Sequence, residues 1–253
     1  MKEVRSVLRA FEILDSFQEG RSRSISEISQ DLGIPKSTVF DLLSTLVDLG
    51  VLSRERGSND YQLGNKLIEL GNKARGGSFL NRVAAPYLKA LRDEYDETVF
   101  LTVRDGDQAF YVDCYESMRR LRTYSTMGDR APLYCTSVGK AILAFLPDDE
   151  IERYVGAVRL DRFTPNTIMD RELLREDLRR TRERGYSVDD MEHEDGVRCV
   201  GAPLRDSEGR VVGAISVSGF AQRITREREA QVAASVMRAA REISAALGFG
   251  PER

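Results

Sequence analysis

Residues 24–63, SISEISQDLGIPKSTVFDLLSTLVDLGVLSRERGSNDYQL, carry the reading that decides the fold of the first part of this chain. Ser24 stands three residues before Glu27, the Ser-x-x-Glu spacing in which a hydroxyl and a carboxylate each satisfy an unpaired N–H at a helix start. The helix it opens presents Ile25, Ile28 and Leu32 and stops at Gly33. Pro35 suits the first turn of a second helix, where the N–H it lacks has no partner anyway. That helix runs to Gly50, with Val39, Leu42, Leu43, Leu46 and Leu49 as the inward stripe and Lys36, Ser37, Thr38, Asp41, Ser44 and Thr45 as a polar face of mostly short side chains. Two helices joined by a Gly-containing turn read as helix-turn-helix, whose second helix enters the DNA major groove by its N-terminal part. Val51–Arg56 and Tyr61–Leu63 then flank the turn-rich Gly57-Ser58-Asn59-Asp60, a hairpin in the position of a wing.

Outward from this core, residues 4–17 put Val4, Val7, Leu8, Phe11 and Leu14 on one side of an amphipathic helix. Residues 65–78 read as a helical linker, so domains are expected at 1–64 and 79–253. Past the linker the pattern turns to strand-like alternation at Val99, Leu101 and Val103. A turn at Asp105-Gly106-Asp107 follows, then helices near 137–146, 148–155 and 170–184. A strand pair at 199–205 and 211–218 and a last helix over 225–247 complete an α+β sheet domain.

Composition removes several classes. With 253 residues, 41% hydrophobic and 8% aromatic, the chain can bury a core and is not of disordered composition. No apolar run approaches the roughly 18 residues of a membrane span, and the charged N-terminus is unlike a signal peptide, so a cytoplasmic protein is expected. Cys114, Cys135 and Cys199 are dispersed, and His193 is the single histidine, which leaves no metal-ligand pattern. Net charge is -3, but residues 1–75 are balanced and the acidic excess belongs to the remainder. Attraction to phosphate must therefore come from placement. The candidate DNA contacts are Ser24, Lys36, Ser37, Thr38, Phe40, Asp41, Ser44, Thr45, Arg54 and Arg56. Among these, Ser37 and Thr38 would meet phosphate or base edges, and Lys36 and Arg56 phosphates.

Three later segments look like loops meeting at a sheet end. In 131–141, Thr136 or Ser137 can cap a helix whose first N–H groups form an anion site, and Gly139 permits close approach. The second runs from Tyr186-Ser187-Val188-Asp189-Asp190 to Gly196-Val197-Arg198-Cys199. In Ser216-Val217-Ser218, period two puts both hydroxyls on one strand face, equally compatible with a pocket and with solvent. Cys199 with His193 invites a nucleophile–base pair, yet a thiolate needs an electropositive setting, and His193 lies between Glu192 and Glu194 in what reads as a solvated acidic loop. Asp189, Asp190, Glu192 and Glu194 lack calcium-loop spacing. No catalytic residue, metal or cofactor is expected.

The stretches VRSVLRAFEILDSF, SISEISQDLGIPKSTVFDLLSTLVDLGVLSR, YQLG, TSVGKAILAFL, GYSVDD, GVRCVGAPLRD and VVGAISVSG, taken in this order, resemble the IclR family of bacterial transcriptional regulators. The resemblance implies an α+β protein: an N-terminal winged helix-turn-helix, a linker helix and a C-terminal GAF-like mixed α/β effector-binding domain. It implies a repressor of a catabolic or carbon-metabolism operon, bound as a homodimer or homotetramer to palindromic double-stranded operator DNA. A small organic acid or aromatic metabolite would be its effector. Carried over, the pocket would be lined by Ser137, Val138, Asp189, Cys199, Ser216 and Ser218. Phe40-Asp41 departs from the family, where Arg commonly follows the aromatic or His position of the recognition helix; an Asp there can accept from cytosine N4 or pair with a neighbour. Met191 likewise stands where a second consecutive acid is common. The competing readings are a thiol enzyme of GAF-like fold using Cys199, and a winged-helix interaction module without specific DNA binding.

Overall fold

The computed structural model describes residues 3–17, 21–55, 57–123 and 127–250. The chain divides into two compact units, 1–77 and 78–253. The first holds α1 (Arg5–Asp15), α2 (Ile25–Leu32), α3 (Lys36–Asp48), β1 (Leu52–Arg54), β2 (Tyr61–Leu63) and α4 (Asn65–Gly77). Residues 65–77, set apart in the sequence as a linker, thus form a helix that belongs to this unit.

The capping box is present: the Ser24 hydroxyl accepts from Glu27 N–H while the Glu27 carboxylate accepts from Ser24 N–H. Gly33 closes α2 in the left-handed region, at φ 63°. Pro35 is the N-cap of α3, one position ahead of the first turn. Ile13, Ile28, Ile34, Val39, Leu43, Leu46, Leu52 and Tyr61 make the core of this unit. β1 and β2 pair antiparallel, and Arg23 bridges to Tyr61, so the wing is tied to the chain ahead of α2.

Two inward assignments are corrected. Leu49 is 60% exposed. On α1, Val4, Val7, Leu8 and Phe11 face solvent, at 61, 53, 45 and 62% exposure, whereas Ile13 is buried with Ala10, Leu14 and Phe17 packed against the core. The physical reason is that a helix this short offers two apolar edges, and only the one carrying Ile13 meets α2 and α3.

Gly64 fixes the start of α4. Its N–H donates to Val51 O at 2.8 Å and Lys66 N–H donates to Gly50 O at 3.1 Å. A Cβ at residue 64 would lie 2.3 Å from Gly50 O. Gly64→Ala is therefore expected to cost about 1–3 kcal/mol, the range of overpacked sites. Chemical denaturation would read this as a lower midpoint at unchanged slope, and an unchanged midpoint would contradict it.

The second unit is a six-stranded antiparallel sheet, ordered β5-β4-β3-β8-β7-β6. Its strands are β3 (Thr98–Asp105), β4 (Gln108–Tyr115), β5 (Arg130–Pro132), β6 (Ser187–Asp190), β7 (Val197–Arg205) and β8 (Val211–Phe220). β5 has no counterpart in the expected pattern, and β6 stands where a loop is expected. α5 (Phe79–Tyr95) and α9 (Arg226–Ala246) cover one face, packing on Val99, Leu101, Val200, Ala202, Ile215 and Val217. On the other face lies α6 (Ser137–Leu143), with α7 (Asp148–Ala157) and α8 (Arg171–Arg184). Because strand side chains alternate, the residues between those core positions, Thr98, Phe100, Cys199, Gly201, Ser216 and Ser218, share the α6 side. Both serines are therefore interior, at 2% and 4% exposure, and the solvent-face alternative is excluded.

Candidate functional site

On α3, Lys36, Ser37, Phe40, Asp41 and Thr45 are exposed, and Thr38 and Ser44 are half-buried. The Lys36 ammonium donates to Ser26 Oγ at 2.9 Å, and the Thr45 hydroxyl donates to Asp41 O at 2.9 Å. Phe40, 48% exposed, gives the helix an apolar side chain in solvent. In the wing, the exposed Arg54 guanidinium lies 5.6 Å from the centre of the Tyr61 ring. Ser24 is occupied in capping, which leaves it a positioning role at the start of α2. Arg56 lies outside the described residues.

The second unit encloses a polar pocket between the sheet, the start of α6 and the β6–β7 loop. Lining it are Phe100, Tyr111, Thr123, Thr136, Ser137, Asp189, His193, Glu194, Val197, Cys199, Ser216 and Ser218. The register explains the convergence: Asp189 pairs with Cys199, Cys199 with Ser218 and Ser218 with Thr98, one row across four strands. The next row is Ser187, Gly201, Ser216 and Phe100. α6 sits directly on this second row. Ser187 Oγ donates to Ser137 O at 2.5 Å, and a Cβ on Gly201 would come within 3.0 Å of Ser137 O.

Five of the six residues expected in the pocket are brought together there. Val138 is not: its side chain joins the apolar cluster of Leu133, Ile142 and Leu174, since it follows Ser137 round the helix and points away from the sheet row. Phe100 could have been found from its alternation with Val99 and Leu101. Thr123 carries no sequence signal, because its place depends on its hydroxyl donating to Ser218 O at 3.1 Å, 95 residues away.

Thr136 caps α6, accepting from Gly139 N–H at 3.1 Å. The N–H groups of Ser137 and Val138 make no hydrogen bond among the described residues. Burial, aggravated by Glu192, pushes the Asp189 carboxyl up to about 7. Its Oδ1 accepts from Glu192 N–H at 2.7 Å and His193 N–H at 3.4 Å. Burial likewise drives the Cys199 thiol well above its ordinary range, which disfavours the thiolate, and the thiol donates to Ser218 Oγ at 3.0 Å. The His193 pKa is lowered by burial, and its ring packs tilted against Phe163 at 5.0 Å between ring centres.

The acidic run is solvated only in part: Glu194 is exposed, but Glu192 is not. Glu192 is 6% exposed and turns inward to Lys140, itself 1% exposed, whose ammonium lies 2.5 Å from Glu192 Oε1 and 2.9 Å from Asp177 Oδ2. Burial opposes that positive charge, but the two carboxylates outweigh it and hold the Lys140 pKa above its ordinary value. Thr164 and Thr167 hydroxyls donate to Met191 O and Glu192 O, each at 2.6 Å, and hold the turn from outside. Met191 takes φ 59° there.

The pocket is nearly closed: about 30 Å³ is open to the centre of a water-sized sphere. A larger groove of about 760 Å³ near Arg104, Arg182, Arg205 and Arg210 is an open surface feature. Three of its arginines are ion-paired, with Glu150, Asp148 and Asp206. Among the described residues no group of His, Cys, Asp and Glu could hold a metal ion, and no helix is long and apolar enough to cross a membrane.

A winged helix-turn-helix in one unit and a closed, sheet-based polar pocket in the other define a DNA-binding protein with a ligand-sensing unit, and relatives bear this out. Residues 6–56 match the IclR helix-turn-helix domain, and residues 77–245 match the bacterial transcriptional regulator IclR C-terminal domain. The chain is 38% identical over 246 residues to the HTH-type transcriptional regulator KdgR of Escherichia coli (strain K12), covering 97% of this chain and 94% of that one. The crystal structure of the Thermotoga maritima IclR superposes with a TM-score of 0.84 at 33% identity, covering 98% of this chain and all of that one. An IclR homologue from Microbacterium hydrocarbonoxydans, crystallised with 4-hydroxybenzoate, shares the fold at a TM-score of 0.84 and 24% identity, over 96% of this chain and 98% of that one. This chain belongs to the IclR family of bacterial transcriptional regulators.

Proposed function

We propose that the protein is an effector-controlled repressor of a catabolic operon that binds paired operator half-sites as an oligomer. The observation that carries the sensing half is the pocket. It brings the start of α6 at Ser137 together with the hydroxyls of Ser216 and Ser218. N–H groups at a helix start favour an anion, so a small carboxylate seated there supports the organic-acid reading. At about 30 Å³ the closed pocket has room for water and not for a metabolite. Ligand binding therefore favours a widened state, and the ligand shifts the balance by its differential affinity for the two.

The exposed apolar edge of α1 supports self-association, and α4 adds Ile68 and Leu70, at 65% and 47% exposure. Two winged helices held together in this way span half-sites about 34 Å apart, one helical turn, or a multiple of that. In this reading Ser37 and Thr38 meet the groove, with Lys36, Arg54 and Arg56 on phosphates.

Gel-shift titration on DNA from upstream of the protein's gene and its neighbours tests the function: a saturable, sequence-selective complex is expected. Lys36→Ala should weaken binding to every sequence and lower the slope of log K against log salt by about one. Unchanged affinity and slope would remove Lys36 from the interface.

A further inference from the structure

The side of α3 opposite the buried Val39, Leu43 and Leu46 carries Ser37, Phe40, Asp41 and Ser44, whose three- and four-residue spacing lines them up in one stripe. Ser37, Phe40 and Asp41 are exposed, and Ser44 is half-buried. Two of these side chains are out of place on a helix that meets a polyanion. Phe40 leaves its aromatic ring 48% exposed. The Asp41 carboxylate makes no hydrogen bond or ion pair among the described residues; the Thr45 hydroxyl donates to the Asp41 carbonyl instead. Of the two partners open to Asp41 from the sequence, a base or a neighbour, no neighbour among the described residues takes the role.

We infer that these two side chains set the operator sequence: Asp41 selects a cytosine, and Phe40 selects the methyl group of a thymine in an adjacent base pair. This rests on the entry of α3 into the major groove proposed above. A carboxylate pressed against DNA loses water and is repelled by phosphate, so it is tolerated only where a base offers it a donor. Major-groove edges offer two, cytosine N4 and adenine N6. The adenine amino group lies between two acceptors, its own N7 and the thymine O4, whereas the cytosine amino group has an acceptor, guanine O6, on one side only. The second carboxylate oxygen therefore meets a lone pair on adenine and the C5–H edge on cytosine. Guanine and thymine present acceptors alone and are refused. Phe40 is turned about 100° round the helix from Asp41, which carries its ring to a neighbouring base pair. There the thymine methyl is the apolar group that a ring can cover. Because the acid penalises every sequence without a placed amino group, it adds discrimination and no general affinity.

The test selects binding sites from a random-sequence duplex pool with the full chain and with its Asp41→Asn and Phe40→Ala variants, then measures affinity on the selected duplexes by gel shift. Both side chains are exposed, so neither substitution removes a core contact. The wild type should select half-sites with a fixed cytosine next to a thymine, and any other base in place of that cytosine should weaken binding about tenfold. Asn sets a donor beside its acceptor and pairs with adenine N6 and N7, so Asp41→Asn should select adenine where the wild type selects cytosine. Deoxyuridine in place of the thymine removes the methyl group alone; it should weaken the wild type about fourfold and leave Phe40→Ala unaffected. An Asp41→Asn protein that selects the wild-type half-site, or that changes a base other than a cytosine, overturns the inference while leaving the groove reading standing. So does a wild type indifferent to deoxyuridine, or an equal loss in Phe40→Ala. Failure of the wild type to enrich any sequence would overturn the groove reading and this inference together.

Discussion

Lys140→Met is expected to lower the melting temperature by about 6–20 °C. Removing one partner of a buried ionic cluster typically costs about 3–5 kcal/mol, because the charges left behind are uncompensated. In a chain of this size each kcal/mol is worth about 2–4 °C. Lys140 is the sole cation touching Glu192 among the described residues, and Glu192 Oε2 already has no hydrogen-bond partner there. The Met side chain fills nearly the same volume, so a cavity would contribute little to the loss. The pH dependence identifies the cause. Burial raises the folded-state pKa of Glu192, and Lys140 opposes that rise. Without Lys140 the folded pKa climbs further above the unfolded value. A group shifted in that direction contributes stability that is complete below its unfolded pKa and lost as pH rises through the folded one. The deficit of Lys140→Met should therefore be smaller at about pH 5 than at about pH 8, and adding Glu192→Gln should recover part of it. A melting temperature within about 2 °C of wild type at both pH values would show that the cluster does not carry its charge in the way described.

Val7→Ser with Phe11→Ser is expected to leave a folded protein that has lost most of its operator affinity. Both side chains are more than half exposed, so neither substitution removes a core contact and melting should move little. If the α1 edge joins two copies, the double variant should sediment as a smaller species. Losing the second, tethered winged helix should then cost about two to four orders of magnitude on a two-half-site operator. Affinity for an isolated half-site should stay the same, which separates lost assembly from damage to the recognition helix. A variant with the wild-type sedimentation coefficient, or one that binds the full operator as tightly as wild type, would refute the role of this edge.

What could be read ahead of the structure followed from local chemistry. The Ser24–Glu27 cap, the Gly33 stop and the spacing of Val39, Leu43 and Leu46 are properties of one helix with its immediate neighbours, and they appear where the spacing puts them. Ser216 and Ser218 could be placed on one face but not on a side of the sheet, since that choice depends on α6 lying over them. Glu192 departs from expectation because a run of acids is normally solvated. It is drawn inside by Lys140, 52 residues earlier, and by two threonines of the 164–167 strap. α1 departs from its expected inward face for a complementary reason: its wider apolar edge is exposed, and the edge carrying Ile13 meets the core. Long-range ionic pairing leaves little mark on local periodicity.

The two-residue repeat of the sheet separates two kinds of information. Along β7 and β8, one set of alternating positions, Val200, Ala202, Ile215 and Val217, is committed to holding α5 and α9 in place. The intervening set that lines the pocket, Cys199, Ser216 and Ser218, contributes little to that packing, whereas Gly201 is held close beneath α6. Substitutions confined to the intervening set can therefore change what the domain recognises while the architecture persists, as type can be reset in an unchanged frame. A library randomised at Asp189, Cys199, Ser216 and Ser218 should consequently yield many folded proteins with altered ligand preference, so this domain is a practical scaffold for building sensors of other small molecules.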